Sequence, residues 1–212
     1  MTLRANGTSY SMKESTVNES YTAYTTILET GVDAVTISFS GDFDIYGVQL
    51  DDIQGVSLDN VPMRGCSGNM FTRIDKQTLS PFFNQENVRL IILQYGGNYV
   101  PVCSSADIIS DYMKSLRRQI ALFKQMAPKA SILFVGPADM ATRMGGEMKT
   151  YKALPQLVDS LRSMSAQAGI AFWDMFSAMG GKGSIVKWYR AKPQLAGGDF
   201  IHFTPKGAQK MA

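Results

Sequence analysis

Two nearly continuous apolar runs, VRLIILQY (88–95) and ASILFVG (130–136), most strongly constrain how this chain can fold. A strand with apolar residues on both sides has to be covered on both faces, as in parallel sheets that lie between helices. Between the two runs, apolar residues recur at three- and four-residue spacing from Ile109 to Phe123. That spacing is typical of a helix that packs one side against a sheet. The pattern therefore predicts an α/β fold with a parallel sheet.

Two further segments, GVSLDNV (55–61) and GIAFWDM (169–175), predict additional strands of the same sheet. Helices are expected from about Ser105 to Pro128 and from about Pro155 to Gly169, because apolar stripes at helical spacing end there at Pro or Gly. Strands and helices thus alternate over residues 54–212, which favours one domain with a sheet between two helical layers.

Residues 1–53 have a different composition, which is rich in Thr, Ser, Tyr and Val. They contain stretches in which apolar and polar residues alternate, such as AVTISFSGDFDIYGVQL. Alternation of this kind predicts antiparallel strands joined by turns. Over the whole chain, 45% hydrophobic and 18% charged residues indicate a packed globular protein. A net charge of +3 argues against a nucleic-acid partner, and no apolar run approaches the roughly 18 residues that span a bilayer.

The loops that follow the predicted strands contain unusual sequences: PMRGCSGN, QYGGNYV and GPADM. Ligands of parallel α/β sheets bind outside the carboxyl ends of the strands, so these loops are expected to open onto one crevice. Gly65 could direct a backbone N–H into that crevice, and Asn98 could donate from its side-chain amide. Each motif alone fits an ordinary turn equally well.

The segment GGDFIHFTPKG (197–207) contains the only histidine of the chain, His202. Thr204 is suited to cap a helix that begins at Pro205, which would place His202 in the loop just before it. Asp199 lies three residues before the histidine, close enough for its carboxylate to accept a hydrogen bond from Nδ1. That contact would fix the tautomer and leave Nε2 free to act as a base.

Taken together, RGCSG, GGN and DFIH resemble, in order and interval, three sequence blocks of the SGNH (GDSL) hydrolase family. The resemblance covers roughly residues 55–212 and implies a three-layer α/β/α, flavodoxin-like fold. The stretch from Ala171 to Gly207 looks especially like the carbohydrate and peptidoglycan O-acetylesterases of that family. In this subgroup a β-rich domain interrupts the hydrolase domain, and residues 1–53 look like its end, from a domain that could bind carbohydrate.

The resemblance implies a role for each motif residue. His202 would be the general base and then the general acid, and Asp199 would orient it. Gly65, through its N–H, and Asn98, through its side chain, would form the oxyanion hole. The implied reaction is hydrolysis of O-acetyl esters on a polysaccharide or peptidoglycan through an acyl-enzyme. The resemblance implies neither a metal nor an organic cofactor, and it suggests a periplasmic or secreted enzyme.

The nucleophilic serine of the family is not found in this chain. In FSGDFDIYG, Phe43 stands where that serine would be, and the surrounding alternation suits an antiparallel strand. Ser67 and Cys66 lie in a loop of the expected crevice, but nothing in the sequence places either against His202. Cys66 and Cys103 follow neighbouring predicted strands, and free thiols are the default expectation for them.

We therefore hypothesise that an upstream segment supplies both the serine and the first strand of the sheet. In the flavodoxin-like strand order 2-1-3-4-5, the first strand would lie between the strands at 55–61 and 88–95. The alternative is a non-catalytic carbohydrate-binding or scaffold protein that keeps a degenerate form of the fold. An assay of ester hydrolysis with a protein that carries the upstream segment would distinguish the two hypotheses. Hydrolysis would support the esterase, and its absence would support the non-catalytic protein.

Overall fold

The structure is a computed structural model that describes residues 1–17, 21–29, 31–52 and 54–212. The chain divides into two compact units, Met1–Pro62 and Met63–Ala212. The domain boundary predicted after residue 53 falls on a residue outside the described part. Among the described residues, no helix combines the length and apolar character needed to cross a membrane.

In its described residues, the first unit contains five strands in two antiparallel groups. Strands β2 and β5 flank β1 in one sheet, and β3 pairs with β4. Their bounds are β1 Thr2–Ala5, β2 Thr8–Tyr10, β3 Lys13–Val17, β4 Thr22–Thr25 and β5 Val35–Ser38. Leu3 and Ala5 are buried on one face of β1, as alternation in a two-sided strand requires. Antiparallel strands are thus present near the N-terminus as predicted, but the alternating stretch at 34–50 forms a strand only at Val35–Ser38, and residues 39–50 form none.

The second unit is built on a parallel sheet of three strands in the order β6–β7–β10. These strands are β6 Leu90–Gln94, β7 Ser131–Val135 and β10 Ala171–Trp173. Each lies inside one of the apolar segments that predicted it. The register pairs Ile92 with Leu133 and Leu133 with Ala171, so alternate residues of all three strands share a face.

Six helices accompany this sheet: α1 Lys76–Gln85, α2 Ala106–Met126, α3 Leu154–Gln167, α4 Met175–Met179, α5 Ser184–Arg190 and α6 Pro205–Met211. The buried side chains of α2 and α3 form one core with the sheet residue Phe134, which is fully buried. Leu116 of α2 and Leu161 of α3 are among them. Helices α2 and α3 match the two predicted helices within one or two residues at each end.

The strand predicted at 55–61 is wrong. Residues 56–61 form no strand, and the side chains of Val56 and Leu58 are 100% and 84% exposed. Apolar residues can form a strand only when a neighbouring strand accepts their backbone hydrogen bonds, and no described residue pairs with this segment. In the flavodoxin-like order that neighbour would be the first strand, and the described residues place no strand beside this segment.

Helices α1, α4 and α5 and one hairpin have no counterpart in the sequence prediction. Strands β8 (Ala141–Met144) and β9 (Glu147–Thr150) form an antiparallel hairpin directly after the loop that follows β7. Gly145 and Gly146 make the turn with φ angles of 62° and 84°. Two successive positive φ angles are typical of a tight hairpin turn and favour glycine at both positions.

Candidate active site

The Asp199–His202 pair predicted from its spacing is formed. Asp199 Oδ2 lies 2.6 Å from His202 Nδ1, and Asp199 Oδ1 accepts hydrogen bonds from the backbone N–H of Ile201 and His202 at 3.0 and 3.1 Å. An ionised carboxylate can only accept, so the contact favours the tautomer with the proton on Nδ1. The hydrogen bond from His202 is the main cause that lowers the pKa of Asp199 to about 2, against some opposition from burial.

His202 is accessible from solvent. Its side chain is 81% exposed and that of Asp199 is 48% exposed. With Nδ1 held by the carboxylate, Nε2 is the ring atom left free to exchange a proton with a reacting group. Within the described residues, Asp199 is the hydrogen-bond partner of the ring, so the imidazole is oriented through Nδ1.

The loop around His202 is fixed by backbone hydrogen bonds. Gly197 N–H donates to the carbonyl of His202 at 2.7 Å, and Ala196 pairs with Phe203 in an antiparallel bridge. Phe200 has a φ of 57°, which is uncommon for a residue with a side chain. Such a conformation costs free energy and persists only where its surroundings hold it. Here the carbonyl of Phe200 accepts from Ala141 N–H at 2.9 Å.

Helix α6 begins immediately after this loop, as the sequence predicts. Thr204 is the N-cap, and its hydroxyl accepts from Gly207 N–H at 3.2 Å. The same hydroxyl donates to the carbonyl of Gln194 at 2.8 Å, and Thr204 N–H donates to the carbonyl of Leu195 at 3.0 Å. The cap therefore ties both ends of residues 194–204, the candidate catalytic loop, to the start of α6.

The two predicted oxyanion residues lie in loops that contact each other. Asn98 Nδ2 donates to the carbonyl of Cys66, the residue after Gly65, at 3.1 Å. Gly65 has a φ of 76°, in the left-handed region, and nothing lies within 4 Å of the position that its Cβ would occupy. The hydrogen bond uses one of the two amide protons of Asn98 and fixes the plane of the group.

Close packing behind these loops explains two of their glycines. A Cβ on Gly68 would overlap the ring of Tyr95, and a Cβ on Gly96 would lie 3.1 Å from Pro137 Cδ. Tyr112 of α2 donates its hydroxyl to the carbonyl of Ser67 at 2.6 Å, which ties this loop to the core. Burial is the main cause that raises the pKa of the Tyr112 hydroxyl far above its usual value, so it remains a donor.

The structure thus assembles two separate pairs, Asp199 with His202 and the Gly65 loop with Asn98. In the residues that the structure describes, no hydrogen bond joins one pair to the other. Cys66 Sγ accepts from Gly68 N–H at 3.2 Å, and Cys66 and Cys103 are both free thiols. Ser67 and Cys66 show no hydrogen bond to His202 either, within the same described part of the chain. The roles of the four predicted site residues remain predictions.

Comparison with known proteins assigns the family. The sequence model of the GDSL-like lipase/acylhydrolase family matches residues 18–210, which is most of the chain. The chain belongs to this family. The predicted GDSL-type fold, with its parallel sheet flanked by helices, is thereby confirmed. No curated protein sequence matches the chain.

Two solved structures resemble this GDSL-family chain. One is described as a peptidoglycan O-acetylesterase in action, with a TM-score of 0.60 and 22% identity over 69% of this chain and 41% of that one. The chain therefore spans less than half of that protein. The other is an acetyl xylan esterase, with a TM-score of 0.50 and 12% identity over 70% of this chain and 73% of that one. At these identities the likeness shows the fold.

The low pKa of Asp199 predicts an acid-dependent contribution to stability. Since the folded pKa of about 2 lies below the unfolded value of about 3.9, the contribution is present above pH 4 and is lost as the pH falls through 2. Urea unfolding of the wild type and of Asp199→Asn should therefore differ at pH 5 and converge towards pH 2. Solvent screening keeps the difference small, because the carboxylate is half exposed. Parallel pH curves for the two proteins would contradict the assignment.

Proposed function

We propose that this chain supplies the base, its orienting carboxylate and the oxyanion hole of a serine esterase that removes O-acetyl groups from a polysaccharide or peptidoglycan. The observation that carries the proposal is the 2.6 Å contact between Asp199 and an exposed His202, in a chain of the GDSL-like family. An imidazole that is oriented through Nδ1 and open at Nε2 is the arrangement that serine hydrolases use.

The reaction proceeds in two steps. His202 Nε2 takes the proton of the serine hydroxyl while the serine oxygen forms a bond to the ester carbon, and Asp199 stabilises the imidazolium. The sugar oxygen then leaves with that proton, and the acyl group stays on the serine. In the second step His202 deprotonates a water molecule that attacks the acyl-enzyme. The bond between the acyl carbon and the serine oxygen then breaks, His202 returns the proton to that oxygen, and acetate is released.

Gly65 and Asn98 stabilise the negative charge that develops on the carbonyl oxygen. The Asn98 amide keeps one Nδ2 proton free while the other is bonded to the Cys66 carbonyl, which supports a fixed donor direction. The left-handed backbone of Gly65 leaves open space around its Cα, which allows a ligand oxygen to approach its N–H. Donors held in place before the reaction stabilise an oxyanion without having to reorganise during it.

The nucleophilic serine and one more parallel strand come, in this proposal, from a segment upstream of the chain. Strand β6 pairs with β7 on one side, and no described residue pairs with its other edge. Leu90 and Ile92 of β6 share one face and are 52% and 49% exposed. An open edge with exposed apolar side chains is a template for another strand. Residues 1–53 would be the end of a β-rich accessory domain between that segment and residues 54–212.

The substrate class follows from the similar structures and is part of the proposal. One of them is a peptidoglycan O-acetylesterase and the other an acetyl xylan esterase, so acetyl esters of carbohydrate polymers are the substrates to test first. A peptidoglycan substrate would place the enzyme in the periplasm or outside the cell.

The test compares this chain with a protein that also carries the upstream segment. Each is incubated with p-nitrophenyl acetate, and acetate release is measured from O-acetylated peptidoglycan and from acetylated xylan. Turnover is expected only with the upstream segment. If the longer protein binds the polymers without hydrolysing any ester, the esterase proposal fails and a non-catalytic carbohydrate-binding protein takes its place. Hydrolysis by this chain alone would refute the proposed origin of the nucleophile.

A further inference from the structure

Asp139 is a fully buried carboxylate that the proposed reaction does not use. It lies in the loop between β7 and the β8–β9 hairpin, and its side chain is 0% exposed. Oδ1 accepts from the hydroxyl of Thr150 at 2.8 Å, and Oδ2 accepts from Ile185 N–H at 2.9 Å and from the hydroxyl of Ser184 at 3.4 Å. A buried carboxylate is tolerated only when its oxygens are hydrogen-bonded in this way.

These hydrogen bonds join three segments that are far apart in sequence. Thr150 ends β9, and Ile185 belongs to the first turn of α5. Thr150 also accepts from Gly183 N–H at 2.8 Å, so its hydroxyl is used as donor and as acceptor. Asp139 and Thr150 therefore fix the hairpin and the start of α5 relative to each other.

Both of these elements contact the catalytic loop. Ala141, the first residue of the hairpin, donates its N–H to the carbonyl of Phe200, which lies between Asp199 and His202. This hydrogen bond, together with the one from Phe200 N–H to the carbonyl of Gly197 at 3.1 Å, holds the left-handed backbone of Phe200.

The contacts from α5 reach the same loop at other points. The carbonyl of Trp188 accepts from Leu195 N–H at 3.0 Å. The ring centroids of Trp188 and Phe203 are 5.3 Å apart, and those of Tyr189 and Phe200 are 4.5 Å apart. The catalytic loop therefore rests on two elements whose relative position is set by Asp139.

We propose that Asp139, together with Thr150, is a positioning residue that holds His202 against Asp199. This inference rests on the proposed function, since it assigns to a buried hydrogen-bond network the task of orienting the catalytic imidazole. The network acts through the backbone of Phe200 and through α5, without touching the substrate. Loss of either side chain leaves buried donors or acceptors unpaired, and the hairpin and α5 then shift relative to each other.

The single histidine allows a direct test on this chain without any turnover. Ring ¹⁵N chemical shifts of His202 report which nitrogen carries the proton, and in the wild type Nδ1 should be the protonated one. In Asp139→Asn and Thr150→Val the two ring nitrogens should shift towards each other, because a loosened loop lets both tautomers form. Thr150→Ser keeps the hydroxyl and should restore the wild-type spectrum.

Leu116→Ala is the control for general destabilisation, since Leu116 is buried in the main core and lies outside the network. It should lower the melting temperature and leave the ring spectrum unchanged. If Thr150→Val folds and keeps the wild-type spectrum, the positioning role is refuted, and this variant decides the matter even if Asp139→Asn does not fold. A Leu116→Ala spectrum that changes in the same way as that of Thr150→Val would also refute it.

The same variants carry a kinetic expectation in the protein with the upstream segment. Misplacement of a catalytic group by about 1 Å can cost about a hundredfold in rate, so kcat for p-nitrophenyl acetate should fall by roughly ten- to a hundredfold with KM nearly unchanged. Because the ring spectrum needs no substrate, failure of the esterase proposal would appear as absent turnover in every protein, with the spectral differences still present.

Discussion

Replacing His202 with alanine, in the protein that carries the upstream segment, is expected to lower kcat/KM for p-nitrophenyl acetate by roughly 10²- to 10⁴-fold. The reason is that the ring would be the group that takes the serine proton and returns it to the leaving sugar. The fold should be unaffected, because the side chain is 81% exposed and its hydrogen bond joins it to the neighbouring Asp199. Initial rates and a urea unfolding curve of the same preparation measure both effects.

A matched pair of aspartate variants separates the oriented base from a general charge effect. Asp199 and Asp111 are both exposed carboxylates bonded to a nitrogen three residues away, His202 in one case and Lys114 Nζ, at 2.8 Å, in the other. Asp199→Asn should lose most of the activity, since an amide stabilises neither the Nδ1–H tautomer nor the imidazolium. Asp111→Asn should remain as active as the wild type. Equal rates for the two variants would exclude Asp199 as the orienting group.

The parts of the fold that follow from local periodicity could be predicted from the sequence. Strands β6 and β7 are continuous apolar runs, and α2 shows its buried stripe at helical spacing, so each element is encoded in its own segment. The segment at 55–61, whose apolar residues are Val56, Leu58 and Val61, is also predicted as a strand and forms none. The segments also differ in whether a neighbouring strand is available. Strands β6 and β7 pair with each other, whereas no described residue pairs with residues 56–61.

The β8–β9 hairpin was missed although its signal is present. Gly145-Gly146 lies between ATRM and EMKT, and a two-glycine turn between short strands is a recognised hairpin pattern. The flanking strands are only four residues long, however, and they are weak in apolar alternation. The turn signal was therefore the one feature that could have identified this hairpin, which contacts the loop at 194–204 through Ala141.

The candidate site shows the same division between local and distant contacts. The Asp199–His202 contact spans three residues in one loop, so the sequence alone could predict it. The hydrogen bond from Asn98 to the carbonyl of Cys66 joins two loops, and the sequence predicts that these loops open onto one crevice but does not predict this hydrogen bond. The contact from Asp139 to Ile185 spans 46 residues and leaves no pattern in the sequence, because any buried acceptor at the right place would satisfy the same N–H.

Gly207→Ala is expected to destabilise the protein by about 3 kcal/mol, at the upper end of the usual cost of overpacking. Helix propensity alone predicts the opposite, since alanine is favoured over glycine by about 1 kcal/mol within a helix. In this structure a Cβ on Gly207 would overlap the carbonyl oxygen of Leu195 and lie 2.8 Å from its carbonyl carbon. These are backbone atoms, and that carbonyl also accepts from Thr204 N–H, so they cannot rotate away as a side chain would.

Gly97→Ala provides the matched control for Gly207→Ala. Gly97 lies in a short 3₁₀ helix without a positive φ, and nothing lies within 4 Å of its Cβ position, so the substitution should change the free energy of unfolding little. Because Leu195 belongs to the catalytic loop, Gly207→Ala should also alter the ring ¹⁵N spectrum of His202, whereas Gly97→Ala should not. If Gly207→Ala raises the melting temperature, then α6 does not pack against Leu195 as described. In that case the expected effect of α6 on the His202 ring is also wrong.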